Sequence, residues 1–163
     1  MDKLILDACC GGRHIWTDKH NDHTVYMDIR QVAKGTITFQ PNWCVEPDII
    51  GDYRDMPFDD ESFRYVIWDI PHKIKYDTGL ITMKYGFLGE EWQHDLHIAF
   101  KEIMRILKPE GMLIFKFNDL AIPFKDIRKC FLPVKEIGFT PTKKGVNNTA
   151  FWCYLKPPKL ESE

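Results

Sequence analysis

The stretch Lys3-Leu4-Ile5-Leu6-Asp7-Ala8-Cys9-Cys10-Gly11-Gly12 decides how the rest of the chain is read. Its apolar run is too short for a helix. It suits a strand buried on both faces of a parallel sheet, with an aspartate at its end and a glycine pair to turn the chain. The residues after the glycines read as a helix, and Thr24-Val25-Tyr26-Met27 reads as a second strand ending at Asp28. The unit is therefore read as βαβ. Ile49-Ile50 before Gly51-Asp52, and Tyr65-Val66-Ile67-Trp68 before Asp69, repeat the pattern of a short apolar strand closed by an acid.

Between these pieces the signal varies. Gly35, Pro41 and Pro47 interrupt residues 29–47, where Thr36-Ile37-Thr38-Phe39 suits an edge strand or a loop equally. From about Glu90 to Leu107, the residues Trp92, Leu96, Ala99, Phe100, Ile103 and Leu107 recur at three- and four-residue spacing, which predicts a helix with one apolar face. Lys108-Pro109-Glu110-Gly111 ends it. A strand over Met112–Phe117, a short helix within Leu120–Cys130 and a strand over Ala150–Leu155 follow, the last after the turn-rich 143–148. Strands alternating with helices predict an α/β fold: a mostly parallel twisted sheet of about six or seven strands, with helices on both faces in three layers.

With 163 residues, 44% hydrophobic and 28% charged, the chain suits one globular domain over residues 1–157 and a flexible tail at 158–163. A net charge of −2 gives no overall attraction to nucleic acid or an anionic membrane, which leaves only a local basic patch for such a partner. The opening apolar run is broken at Asp7, so it reads as neither signal peptide nor membrane span, and the expectation is a cytoplasmic protein without a membrane partner. Five cysteines without a C-x-x-C pair read as reduced thiols. His14, Asp18, His20, Asp22 and His23 have ligand chemistry but no established metal spacing, and they read as a polar turn; no metal is expected.

Ligands of doubly wound sheets sit beyond the carboxyl ends of the strands, where the strand order reverses. Asp7, Asp28, Asp52 and Asp69 would all face that crevice. One such acid alone can merely cap a turn, but four in register point to a ligand. A carboxylate at the end of the second strand can accept two ribose hydroxyls, which makes Asp28 the ribose candidate. A nicotinamide dinucleotide would use the same crevice and the same acid.

The motifs narrow this choice. Leu6-Asp7-Ala8-Cys9-Cys10-Gly11-Gly12 resembles the first motif of class I S-adenosylmethionine (SAM)-dependent methyltransferases, with Cys9 and Arg13 standing at two of its three glycine positions. Gly51-Asp52-Tyr53-Arg54-Asp55-Met56-Pro57-Phe58-Asp59-Asp60-Glu61-Ser62-Phe63 and Arg105-Ile106-Leu107-Lys108-Pro109-Glu110-Gly111 resemble two later segments of the same family, in the same order. Asp7-Ala8-Cys9-Cys10-Gly11, with Asp69-Ile70-Pro71-His72 later and Phe115-Lys116-Phe117-Asn118 on the Met112–Phe117 strand, resembles a subgroup of short methyltransferases common in bacteriophages and prophages. The resemblance spans about residues 3–156. It implies a Rossmann-like fold and SAM as cofactor. Asp7, Ala8, Cys9 and Gly11 would then lie at the methionine end, Asp28 and Ile29 at the ribose, and Asp52 and Tyr53 at the adenine.

Asp69-Ile70-Pro71-His72 also sits where amino-methyltransferases carry Asp/Asn-Pro-Pro-aromatic. A carboxylate and a backbone carbonyl that accept both protons of an exocyclic amine favour the pyramidal nitrogen that attacks a methyl group. Asp69, the Pro71 carbonyl and His72 are therefore the catalytic candidates. Lys73, Lys75, Tyr76, Lys84 and Tyr85 interleave cations and aromatics in a glycine-containing stretch, which suits either a substrate lid or a solvated loop. Lys116 and Asn118, two apart on one strand, share a face. The expected activity is methyl transfer to a nitrogen, most simply a nucleobase amine in nucleic acid or nucleotide. With little chain left for reading duplex sequence, single-stranded or free acceptors are expected, unless a second copy or a partner protein adds target recognition. The altered glycine motif also fits a SAM-binding module without catalysis.

Overall fold

The structure, a computed structural model, describes residues 3–141 and 148–158. Of the expected turn at 143–148 all but Asn148, and of the expected tail at 158–163 all but Pro158, lie outside the described residues. Seven strands form one sheet: β1 (Ile5–Asp7), β2 (Thr24–Asp28), β3 (Ile49–Ile50), β4 (Phe63–Asp69), β5 (Leu107–Asn118), β6 (Lys135–Pro141) and β7 (Thr149–Leu155). Their order is β3-β2-β1-β4-β5-β7-β6. All pairings are parallel except those of β7, which runs against both β5 and β6. The order reverses between β1 and β4, so the carboxyl ends of these two strands mark the switch point of this Rossmann-like sheet.

The helices are α1 (Leu80–Tyr85), α2 (Trp92–Ile106) and α3 (Phe124–Arg128). α2 forms where the apolar period predicts it and buries Leu96, Ala99, Phe100 and Ile103. Those side chains join Leu113, Phe115 and Phe117 of β5 and Trp152 of β7 in the main core. Aromatic rings fill its centre: Phe100 stacks on Phe131 at 4.5 Å, and Phe115 lies 5.0 Å from Trp68. The alternate β5 residues Met112, Ile114, Lys116 and Asn118 are only half-buried, so the apolar cover is heavier on the α2 face.

One local reading differs from the sequence expectation, and three segments that the sequence left open take their form in the structure. The segment between β1 and β2 forms turns, where a helix was expected. Gly11 (φ +47°) and Arg13 (φ +55°) take left-handed backbone, and the Asp18 and Asn21 side chains accept the His20 and His23 amides, so local side-chain bonds displace the helical ladder. Residues 36–39 form turns, the loop alternative for this segment, and Ile37 joins Trp43 and Val45 in a small separate cluster with Val32 and Leu80. β6 and α1 arise in segments without a clear period.

The Lys108–Gly111 segment bulges out of β5, because Phe63 pairs with Leu107 while Tyr65 pairs with Met112. A Cβ at Gly111 would stand 2.7 Å from the Lys108 carbonyl and 2.9 Å from that of Arg64, both backbone atoms that cannot step aside. Gly111→Ala is therefore expected to destabilise the protein by ~1–3 kcal/mol, the usual range for overpacking. Denaturant unfolding checks this; an unchanged midpoint would show that the bulge relaxes freely.

Candidate active site at the carboxyl edge of the sheet

The ends of β1, β2 and β4 bring three acids to one edge. Asp7 is buried and accepts the Trp16 indole N–H at 2.6 Å and the Cys9 amide at 3.4 Å. Burial is the main cause that pushes its carboxyl up to about 7, with the Trp16 bond opposing. Asp28, equally buried, accepts the Gly11 amide at 2.8 Å on one oxygen and the Arg30 amide at 2.9 Å and guanidinium at 3.3 Å on the other. Asp69 pairs with Lys116 at 2.5 Å. Burial raises its carboxyl above the usual range, against the pull of Lys116.

Two cavities open along this edge. One, about 210 Å³, is lined by Asp28, Ile29, Asp52, Tyr53, Pro71 and Leu88 among others. The second, about 200 Å³, is lined by Gly11, His14, Asp69, His72, Lys116 and Asn118 among others. Cys9, Arg30 and Tyr85 line both. Together they fall within the ~300–1,000 Å³ of small-molecule sites. A larger hollow, about 690 Å³, touches Gly11 and His14 but none of the strand-ending acids. Its lining carries charges of both signs, including Lys19, Lys34, Glu46 and Asp48.

The structure thus brings most of the expected residues together, with partners that the sequence did not disclose. Asp52 is gripped by Arg54, which spans on to Asp95 at 2.9 Å. Tyr53 packs edge-on against Trp68 at 5.7 Å. Asp7 and Ala8 are buried beneath the cavities and do not line them. Asn118 donates to the Thr149 hydroxyl and accepts the Leu120 amide, which fixes its side chain. Of the 73–85 stretch only Tyr85 reaches the cavities. Lys73 pairs with Asp77, Tyr76 is exposed beside Phe87, Lys75 is exposed, and Lys84 lies over the Trp43 ring.

Arg30 and His14 are site residues that sequence reasoning missed. Arg30 follows the strand-ending Asp28 by two positions, a spacing that lets it close back on the carboxylate, and it also donates to the Lys84 carbonyl at 3.3 Å. His14 is marked in the sequence only by its metal-ligand chemistry. It meets the Tyr85 hydroxyl at 3.4 Å instead, and burial lowers its basicity. Burial likewise lowers His72, so its imidazole is neutral near pH 7 and can accept a proton. Among the described residues no cluster of three acid, histidine or cysteine side chains could hold a metal ion, and no helix is long and apolar enough to cross a membrane.

The fold can be compared with known proteins. No protein-family model matches the chain, and no curated protein sequence does either. Solved structures do match. The PH0226 protein of Pyrococcus horikoshii is 21% identical, with 96% of this chain and 82% of that one covered and a TM-score of 0.57. A SAM-dependent methyltransferase of Methanosarcina mazei is 14% identical, with 97% and 94% covered and a TM-score of 0.56. The N-methyltransferase NodS of Bradyrhizobium japonicum, in complex with S-adenosylhomocysteine, is 10% identical, with 94% and 76% covered and a TM-score of 0.54. The chain has the fold of SAM-dependent methyltransferases.

The state of Asp7 gives a pH prediction. Its folded pKa, about 7, lies above the ~3.9 of a free aspartate, so it adds stability that is complete below ~4 and is lost as pH rises to about 7. Asp7→Asn keeps an acceptor for Trp16 but cannot ionise. Its thermal midpoint should overtake that of the unmodified protein between pH 5 and 8, by ~2–4 °C for each kcal/mol recovered. Parallel melting curves across that range would contradict the assignment.

Proposed function

We propose that the protein transfers a methyl group from SAM to an acceptor nitrogen, an exocyclic amine of a nucleobase in nucleic acid or nucleotide. One observation carries this reading: two cavities share Cys9, Arg30 and Tyr85, one lined by Asp28, Asp52 and Tyr53, the other by Asp69 and His72. The first suits an adenosine and the second a reacting centre. Gly11 supports the fit, because a Cβ there would meet nothing within 4 Å, which leaves the backbone open to a ligand.

In this reading Asp28 keeps one lone-pair site beyond its three donors for a ribose hydroxyl, and Ile29 covers the sugar. Asp52 and the Tyr53 amide take the adenine, with Arg54 making way at Asp52. Cys9 and Gly11 lie towards the methionine part, above buried Asp7 and Ala8. Bound SAM supplies an electrophilic methyl group on a positive sulfur. Asp69 and the Pro71 carbonyl accept the amine protons and orient the nitrogen lone pair. As the nitrogen–carbon bond forms and the carbon–sulfur bond breaks, the nitrogen turns positive, and neutral His72 is placed to take the proton it releases.

The test is incubation with labelled methyl donor and single-stranded or duplex oligonucleotides, nucleotides and proteins. Asp69→Ala should lower turnover by ~10²–10⁴-fold, the range of a positioned acid–base group, while S-adenosylhomocysteine affinity stays within a few-fold of the unmodified protein. Incorporation into protein alone, or none into any acceptor, would sink the nucleobase reading.

A further inference from the structure

Asp69 and Lys116 are direct partners across the paired strands β4 and β5. Their side chains meet at 2.5 Å, from Nζ to Oδ2, at the wall of the smaller cavity, and about a quarter of each stays exposed: 27% and 28%. This contact uses one ammonium hydrogen and one carboxylate oxygen. Two hydrogens on Lys116 and the second oxygen of Asp69 remain for a ligand. Arg30, the other permanent cation on this wall, is committed to Asp28 and the Lys84 carbonyl. At this ion pair the wall therefore offers a charged acceptor with a charged donor beside it.

That array has a defined complement: a flat group in which an N–H donor lies next to a nitrogen lone pair. An amine on a ring carbon beside an unprotonated ring nitrogen is such an edge. Adenine and cytosine carry it on their pairing edge, with N1 or N3 beside the amine; guanine carries it only on its sugar-side edge, where N3 adjoins the C2 amine. We propose that Lys116 is a specificity-determining residue of the acceptor site, donating to the ring nitrogen adjacent to the amine that Asp69 accepts. The proposal rests on the nucleobase reading above. It concerns recognition, not the rate of methyl transfer.

The consequence is a preference that a purely structural ion pair would not produce. A site built around a hydrogen bond rejects an analogue that lacks it, because its own polar group is left unpaired. In 1-deazaadenosine and 3-deazacytidine the ring nitrogen is replaced by C–H while the amine stays. The experiment is calorimetric titration of the full chain, saturated with S-adenosylhomocysteine, with adenosine, cytidine and these two analogues. The unmodified protein should bind each parent at least ~10-fold more tightly than its deaza analogue, the worth of one charge-assisted hydrogen bond. In Lys116→Met the two affinities should converge on that of the analogue, while Lys116→Arg retains discrimination. Equal affinity of parent and analogue for the unmodified protein, or no binding of any of the four, would overturn the proposal without any variant having to fold. Discriminating binding that never leads to methylation with SAM would instead leave Lys116 in this role and overturn the proposed reaction.

Discussion

The carboxylate of Asp28 holds the functional edge of the sheet together. It is buried at the end of β2 and takes three hydrogen bonds, from the Gly11 amide, the Arg30 amide and the Arg30 guanidinium. The first bond ties the turn after β1 to the end of β2. The others fold the next connection back over it. A buried carboxylate is tolerated only with such partners, since an unpaired charge there would cost several kcal/mol. The turn in its turn depends on left-handed backbone. Gly11 adopts it without penalty, but Arg13 does so at ~1–2 kcal/mol. Its guanidinium offsets that strain by donating to the Lys19 and Glu46 carbonyls at 2.7 Å and lying 3.7 Å above the Tyr26 ring.

From Asp28 the constraint spreads to the second cavity. Arg30 reaches the Lys84 carbonyl, so the end of α1 is tied to the end of β2. At the other end of α1, Leu80 packs against the Ile37, Trp43 and Val45 cluster of the β2–β3 connection. Tyr85, the last residue of α1, thereby reaches both cavities and meets His14. A short helix of six residues has little stability alone, so these three anchors set its position.

Much of this was legible in the sequence, for physical reasons that also explain the gaps. Buried parallel strands require continuous apolar runs, and Leu4-Ile5-Leu6, Tyr65–Trp68 and Met112–Phe117 announce themselves. The amphipathic period of α2 does the same. The segment after Gly12 resisted, because its helix-compatible composition is overruled by Asx turns at Asp18 and Asn21 and by the Arg13 anchor, none of which leaves a periodic trace. β6 lacks alternation and is defined by its pairing with β7. At the site, strand-ending acids could be found by position, but their partners could not. Lys116 was seen as a residue near the crevice; its pairing with Asp69 depends on the β4–β5 register, which only the assembled sheet supplies. Lys73 and Lys84 had the right composition for substrate contact, yet one pairs with Asp77 and the other lies over Trp43.

The central claim is that the crevice at Asp28 and Asp69 receives an adenosyl-methionine-type cofactor and not a dinucleotide. Calorimetric titration of the protein with S-adenosylhomocysteine and, separately, with NAD tests it most directly. The account predicts saturable one-to-one binding of S-adenosylhomocysteine and no displacement of it by NAD. Saturable NAD binding with no heat from S-adenosylhomocysteine would contradict it.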